Sequence, residues 1–216
     1  MENWKGYFKD IDDALKQLVD RIELTDLGNT VILGLFGEKT LLAKRVAQYY
    51  GLPLEYLLTA PIRAPENRDC IIALVSEKMD VVLDAQLAES FDISYDQIYA
   101  QATRVAERVI LPRVKRLRGE NAMMDFKDRD VLIVNEGVEL GFEVELAIKM
   151  CLKDKCRSLS LATPVVPSDI LELLLAQCDC VYSVLSPQYF VSMPYYYKDL
   201  LSVESEALLS LSRSNL

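Results

Sequence analysis

Apolar residues at Phe8, Ile11, Leu15, Leu18 and Ile22 recur at helical spacing, and Asp10, Asp12 and Asp13 stand near the N-terminal end, where acids complement the helix dipole. The spacing predicts a helix over 8–22. The pattern then switches to unbroken apolar runs. "NTVILGLFG" reads as a buried strand, "TLLAKRVAQYYG" as a helix that Gly51 stops, and "LPLEYLLT" and "CIIALV" as short strands. Between the last two, "APIRAPENRD" carries two prolines among charged residues, which predicts a loop. "DVVLDAQLAESF" predicts a strand running into a short helix.

A long helix is expected over 94–118, opened by Ser94 three residues before Gln97 in a capping pattern and kinked at Pro112. After "GENAMMDFKD" come a strand over 130–134, a helix over 141–152, the strand "SLSLATPVV", the helix "SDILELLLAQ" and the strand "CVYSVL". Continuous apolar strands separated by helices predict an α/β fold. Its form is three-layered, a central mostly parallel sheet with helices on both faces, in a single domain over 1–216. In such sheets ligands collect where strand ends lead into helix N-termini, here after Val134 and after Leu35.

Composition narrows the chemistry. With 216 residues and 51% hydrophobic content, one sizeable core can be buried. The apolar runs are far shorter than the roughly 18–20 residues of a membrane span, and "MENWKGYFKD" has no signal-peptide pattern, so a cytoplasmic protein with no membrane partner is expected. Thirty-three acids against 24 bases, a net charge of −9, disfavour nucleic acid as a partner. The chain has no histidine, which removes Ser/His/Asp and Cys/His catalysis together. Cys70, Cys151, Cys156, Cys178 and Cys180 are expected to be reduced thiols, and their spacings lack the CxxC knuckle of a zinc site.

The stretch with the most chemistry is "VLIVNEGVELGFEV", residues 131–144, which has the layout of a strand delivering its tip to a phosphate-cradling turn. "GLFGEKT" invites a P-loop reading, but two residues stand between its glycines instead of four, and Glu38 separates the second glycine from Lys39.

The order of the pieces resembles the type I phosphoribosyltransferase family, especially its small bacterial members. The resemblance runs from "FKDIDDALKQL" through the "RAPEN" loop, "DISYDQIYAQATRVAERVILPRVKRLRG", "DFKDRDVLIVNEGVELG" and "ATPVVPSDILELL" to "SPQYF" and "YYYKDLLSV". It implies that two acids at the strand tip hold the ribose hydroxyls of phosphoribosyl pyrophosphate (PRPP). It also implies that a Thr/Gly/Thr-type turn binds the 5′-phosphate, with a second loop for the pyrophosphate. Carried across, the two acids become Asn135 and Glu136, the catalytic candidates. The turn becomes Gly137, Leu140, Gly141, Phe142 and Glu143, and the pyrophosphate loop Gly37, Glu38 and Lys39. Near residue 60, where relatives place a basic pair, stand Ala60 and Pro61, with Arg63 and Arg68 the nearest cations.

Glu136, Gly137 and Gly141 keep the pattern, whereas Asn135, Leu140, Phe142 and Glu143 depart from it. A like charge near 4 Å from a phosphate costs on the order of 4 kcal/mol at an effective dielectric near 20. Each lost hydroxyl bond to the anion costs roughly 1.5–3 kcal/mol more. Affinity lower by several powers of ten is expected. The first expectation is therefore a family member with weakened or lost PRPP-dependent catalysis and a binding or interaction role, Glu143 standing in for the phosphate at the helix N-terminus. The alternative is an active transferase moving ribose 5-phosphate from PRPP, with magnesium, to a nitrogenous base. No tightly bound cofactor is expected otherwise. Expected partners are a nucleotide-like or phosphorylated small molecule and a second copy of the chain.

Two further features stand out. Arg104, Arg108, Arg113, Lys115, Arg116 and Arg118 form a basic run with one acid, Glu107, read first as a solvated helix face and second as a contact for an acidic partner. Tyr182, Tyr189, Phe190 and Tyr195 to Tyr197 concentrate aromatic rings near the end, read first as packing onto the domain and second as a cover over the site.

Overall fold

The computed structural model describes residues 7–36, 41–65 and 67–199. Within them the strands are β1 (Thr30–Phe36), β2 (Leu54–Arg63), β3 (Ile71–Ser76), β4 (Val81–Leu83), β5 (Asp130–Val134), β6 (Ser158–Val165) and β7 (Cys180–Leu185). They form one sheet in the order β4-β3-β2-β1-β5-β6-β7. β1 pairs in parallel with β2 and β5, and β5–β6 and β6–β7 continue in parallel. β3 alone runs antiparallel, to both β2 and β4. The expected mostly parallel α/β sheet is what the chain forms.

Alternation along β1 explains why its apolar run is unbroken. Ile32 faces one core with Leu132 and Ala162, while Val31, Leu33 and Leu35 face the other with Val131 and Ile133. Both faces are dry, so neither parity is polar. The first core is covered by α1 (Ile11–Val19) and α2 (Leu41–Tyr50), and the second by α6 (Phe142–Lys153) and α7 (Ser168–Leu175). A third core lies under α3 (Ala85–Ser90), α4 (Tyr95–Val105) and α5 (Leu111–Arg118). No helix among the described residues is long and apolar enough to cross a membrane.

Two expectations need correction. The first helix spans 11–19, not 8–22, because Asp10 caps it by accepting the Asp13 amide at 2.8 Å. Phe8 instead bridges in parallel to Tyr197. "APIR" is not loop but the second half of β2. Among the described residues, 54–58 of that strand pair with β1 and 59–63 with β3, so Pro61 has a strand neighbour on one side only, a position where proline is tolerated. The helix opened by the Ser94–Gln97 capping box meets Pro112 through a π-helical turn over 106–110, where the Leu111 amide reaches back to the Ala106 carbonyl.

Ion pairs fasten the strand starts. Arg157 holds Asp130 through Nε at 2.7 Å and also through its terminal nitrogen, and Ser158 Oγ adds a bond at 2.7 Å. These hold the Asp130 carboxyl below its ordinary value, Arg157 contributing most and Ser158 adding to it against partial burial. A depressed folded-state pKa gives stability that is complete above the unfolded value of 3.8 and lost as pH falls through the lower folded one. Acid unfolding of Asp130→Asn, followed by circular dichroism, is accordingly expected to show a shallower loss of stability below that pH than the natural chain.

Candidate functional site

β5 lies between β1 and β6, so the turn that leaves it emerges from the centre of the sheet. Asn135 and Glu136 are 2% and 1% exposed. The Asn135 carboxamide braces the turn itself: Nδ2 donates to the Gly137 carbonyl at 2.9 Å, and Oδ1 accepts the Glu136 amide at 3.0 Å. Glu136 Oε1 accepts the Leu42 amide at 3.0 Å, which makes the carboxylate an anionic cap on the N-terminal turn of α2. Tyr56 and Tyr197 adjoin it. Burial first, and the Glu136 charge second, push both phenols well above their ordinary value, so both stay protonated.

The far side of the turn is closed by the chain itself. A Cβ placed on Gly137 would stand 2.2 Å from the Met193 thioether and 2.9 Å from Val165, so any larger residue there would have to push the Met193 side chain aside. Met193 opens α8 (Met193–Tyr196), and its amide donates to Glu139 Oε1 at 2.8 Å. Tyr197 donates its hydroxyl to the Glu136 carbonyl at 2.7 Å. This strap is tied to the N-terminal segment by three backbone bonds: Phe8 N to Tyr196 O at 3.0 Å, Lys198 N to Phe8 O at 2.9 Å, and Asp199 N to Lys9 O at 3.1 Å. The aromatic tail thus divides. Tyr196 and Tyr197 are buried under the strap, whereas Tyr189 is 83% exposed.

Gly141 begins α6 with φ at +79°, a left-handed conformation that favours glycine, and it brings no side chain to cap the first-turn amides. Glu143 stands half-buried in that turn. The sequence candidates Gly137, Leu140, Gly141, Phe142 and Glu143 come together around a cavity of about 170 Å³, which Ile71 and Leu74 of β3 wall on the apolar side. Small-molecule sites occupy roughly 300–1,000 Å³, so this one is small for a sugar phosphate. Its lining includes Glu139 and Glu143 and no lysine or arginine among the described residues.

The second turn, Gly37, Glu38 and Lys39, lies outside the described residues. Ala60 and Pro61 sit within β2, and the Arg63 guanidinium donates to the Arg68 carbonyl at 2.7 Å. The five cysteines are free. Burial raises the Cys151 and Cys178 thiols, the latter to about 11, which leaves them protonated and unreactive. Sequence reading missed Met193, Glu139 and Leu42 as parts of the site. Pro194 within "SMPYY" is a helix-start signal that marks where the strap begins.

Comparison places this geometry among known proteins. Two curated Mycobacterium tuberculosis proteins, from strains CDC 1551 and H37Rv, each named "Putative phosphoribosyl transferase", are 22% identical to the chain over 207 residues. That covers 94% of the chain and 46% of theirs, so the chain spans about half the length of the curated relatives it matches. A crystal structure of TT1426 from Thermus thermophilus superposes with a TM-score of 0.69 at 26% identity, covering 94% of this chain and 98% of that one. Purine phosphoribosyltransferase from Pyrococcus horikoshii is similar at a TM-score of 0.44 and 14% identity, over 84% of this chain and 90% of the other. No family model matches. The chain is thus similar over most of its length to proteins named as phosphoribosyl transferases, and its mostly parallel α/β sheet is shared with the Thermus thermophilus structure.

Proposed function

We propose that this phosphoribosyltransferase-like protein has weakened or lost PRPP-dependent catalysis and acts by binding. The observation that carries the reading is Glu136. In the resembled family this position faces the ribose hydroxyls, yet here its carboxylate caps α2 while Met193 closes the adjoining face of Gly137. Asn135, at the neighbouring acidic position, is neutral and has its carboxamide engaged within the turn. A Glu136 oxygen committed to α2 and a neutral Asn135 support a weakened hold on a magnesium–PRPP complex, whose ion is held through carboxylate oxygens presented to it. Glu139 and Glu143 add like charge beside the place a phosphate would occupy.

A second reading, a working transferase, draws on one specific feature: Gly137 and Gly141 are retained, and α6 opens on a left-handed glycine as a phosphate turn requires. In this second reading the small-molecule partner is nucleotide-like or phosphorylated and docks at the carboxyl end of the sheet. Calorimetric titration with PRPP and magnesium separates the two. The natural chain is expected to bind at least about a hundredfold more weakly than a Leu140→Thr, Glu143→Thr variant. Saturable micromolar binding by the natural chain, with release of pyrophosphate on adding a base, would sink the first reading.

A further inference from the structure

The turn after β5 has the shape of an anion cradle and the opposite sign. Gly141 opens α6 in the left-handed conformation, and the cavity of about 170 Å³ lies against it. The side chains that bring charge to that space are Glu139 and Glu143, and no lysine or arginine lines it among the described residues. Glu143 and Glu145 both stand in the first turn of α6, so two full negative charges oppose the roughly half unit of positive charge at a helix N-terminus. The local field therefore favours a cation.

The other walls say what kind of cation. Ile71, Leu74, Val138 and Phe142 are apolar, and behind them Leu74 and Phe142 pack with Val82 and Leu146 in a small core of their own. Leu140 borders the space yet is 69% exposed, so this side chain leaves it open. Among the described residues no three acidic or cysteine side chains converge as a bare metal ion requires. A cation seated here must bring its own apolar body. A cavity of roughly 150 Å³ holds a six-carbon ring, so the room suits about six or seven non-hydrogen atoms.

We propose that this cavity binds a small primary ammonium ion on a short alkyl stem, its charge at Glu139 and Glu143 and its stem against Ile71, Leu74 and Phe142. The inference rests on the reading that the turn has a weakened or lost hold on PRPP, and it names the class of ligand taken instead. Glu139 Oε1 accepts the Met193 amide at 2.8 Å, which fixes that carboxylate at the exposed rim. Glu139 forms no ion pair among the described residues. A carboxylate has about four lone-pair sites, so a glutamate can keep a backbone bond and accept from an ammonium as well. A lone charge in an apolar space is costly, and two carboxylates at the mouth offset that cost while the stem takes the apolar wall. The net charge of −9 adds attraction at longer range.

Titration of the full chain with n-pentylamine, followed by NMR, tests this. Saturable shifts are expected at the Gly141 and Phe142 amides and at the Ile71 and Leu74 methyls, with a dissociation constant in the millimolar range. n-Pentanol, a neutral molecule with the same stem, is expected to bind at least about fivefold more weakly, and pentanoate and inorganic phosphate to leave those signals unmoved. Glu139→Gln keeps an acceptor for the Met193 amide while removing the charge, and Glu143→Gln removes the charge in α6. Each is expected to weaken pentylamine about five- to tenfold and to leave pentanol binding unchanged. Shifts that never saturate at these residues overturn the proposal. So do equal binding of pentanol and pentylamine, a Gly141 amide that responds to phosphate, or variants that bind the amine as well as the natural chain. PRPP with magnesium is titrated in parallel. If neither it nor the amine binds, the cation assignment alone fails, whereas micromolar binding of PRPP sinks the underlying reading and this inference with it.

Discussion

Arg118→Ala is expected to lower the unfolding free energy by about 3–5 kcal/mol in urea denaturation, the typical cost of removing one member of a buried ionic group. The Arg118 side chain is 8% exposed, and Nε bonds Glu55 at 2.9 Å. One terminal nitrogen bonds Glu77 at 2.5 Å, and the other reaches Glu77 at 3.1 Å and the Tyr56 carbonyl. Burial disfavours the charged guanidinium, but Glu77 and Glu55 outweigh it and hold its pKa above the ordinary value. Without it two carboxylates, 14% and 7% exposed, would face each other with, among the described residues, the backbone amides of Tyr56, Leu58 and Met124 left as donors. A loss below about 1 kcal/mol would mean that water replaces the guanidinium.

Gly34→Val is expected to have the next largest effect, near the top of the roughly 1–3 kcal/mol range for overpacked cores. A Cβ at Gly34 would stand 2.8 Å from the Ala43 Cβ and from two ring carbons of Tyr56, so α2 could not stay seated on β1. Because Glu136 binds the start of that helix, the displacement would propagate to the turn. Thermal unfolding measures the loss, and proton chemical shifts of the Tyr197 ring report the propagation. An unchanged midpoint would show that the contact yields freely.

The sheet was legible because apolar runs and helical periods alternate without ambiguity, and β5 spans the residues its pattern marked. "APIR" was misread because proline punctuates a chain only where both sides of a strand are paired, and pairing belongs to the sheet, not to the local sequence. Arg118 was grouped with its neighbours in a charge run, since nothing local distinguishes the one arginine that meets Glu55 and Glu77 across the fold. Around the turn, the substitutions at Leu140, Phe142 and Glu143 were visible in one dimension. That Glu136 serves as a cap was not, because Leu42 lies 94 residues away.

The three backbone bonds joining residues 8–9 to residues 196–199 give the turn a remote reporter. Amide hydrogens at Phe8 and Lys198 are expected to exchange with deuterium only when that braid parts, an opening that would also free the segment bearing Met193 from Gly137. Their exchange lifetime therefore times how often the buried glycine becomes reachable from solvent, without any ligand in hand.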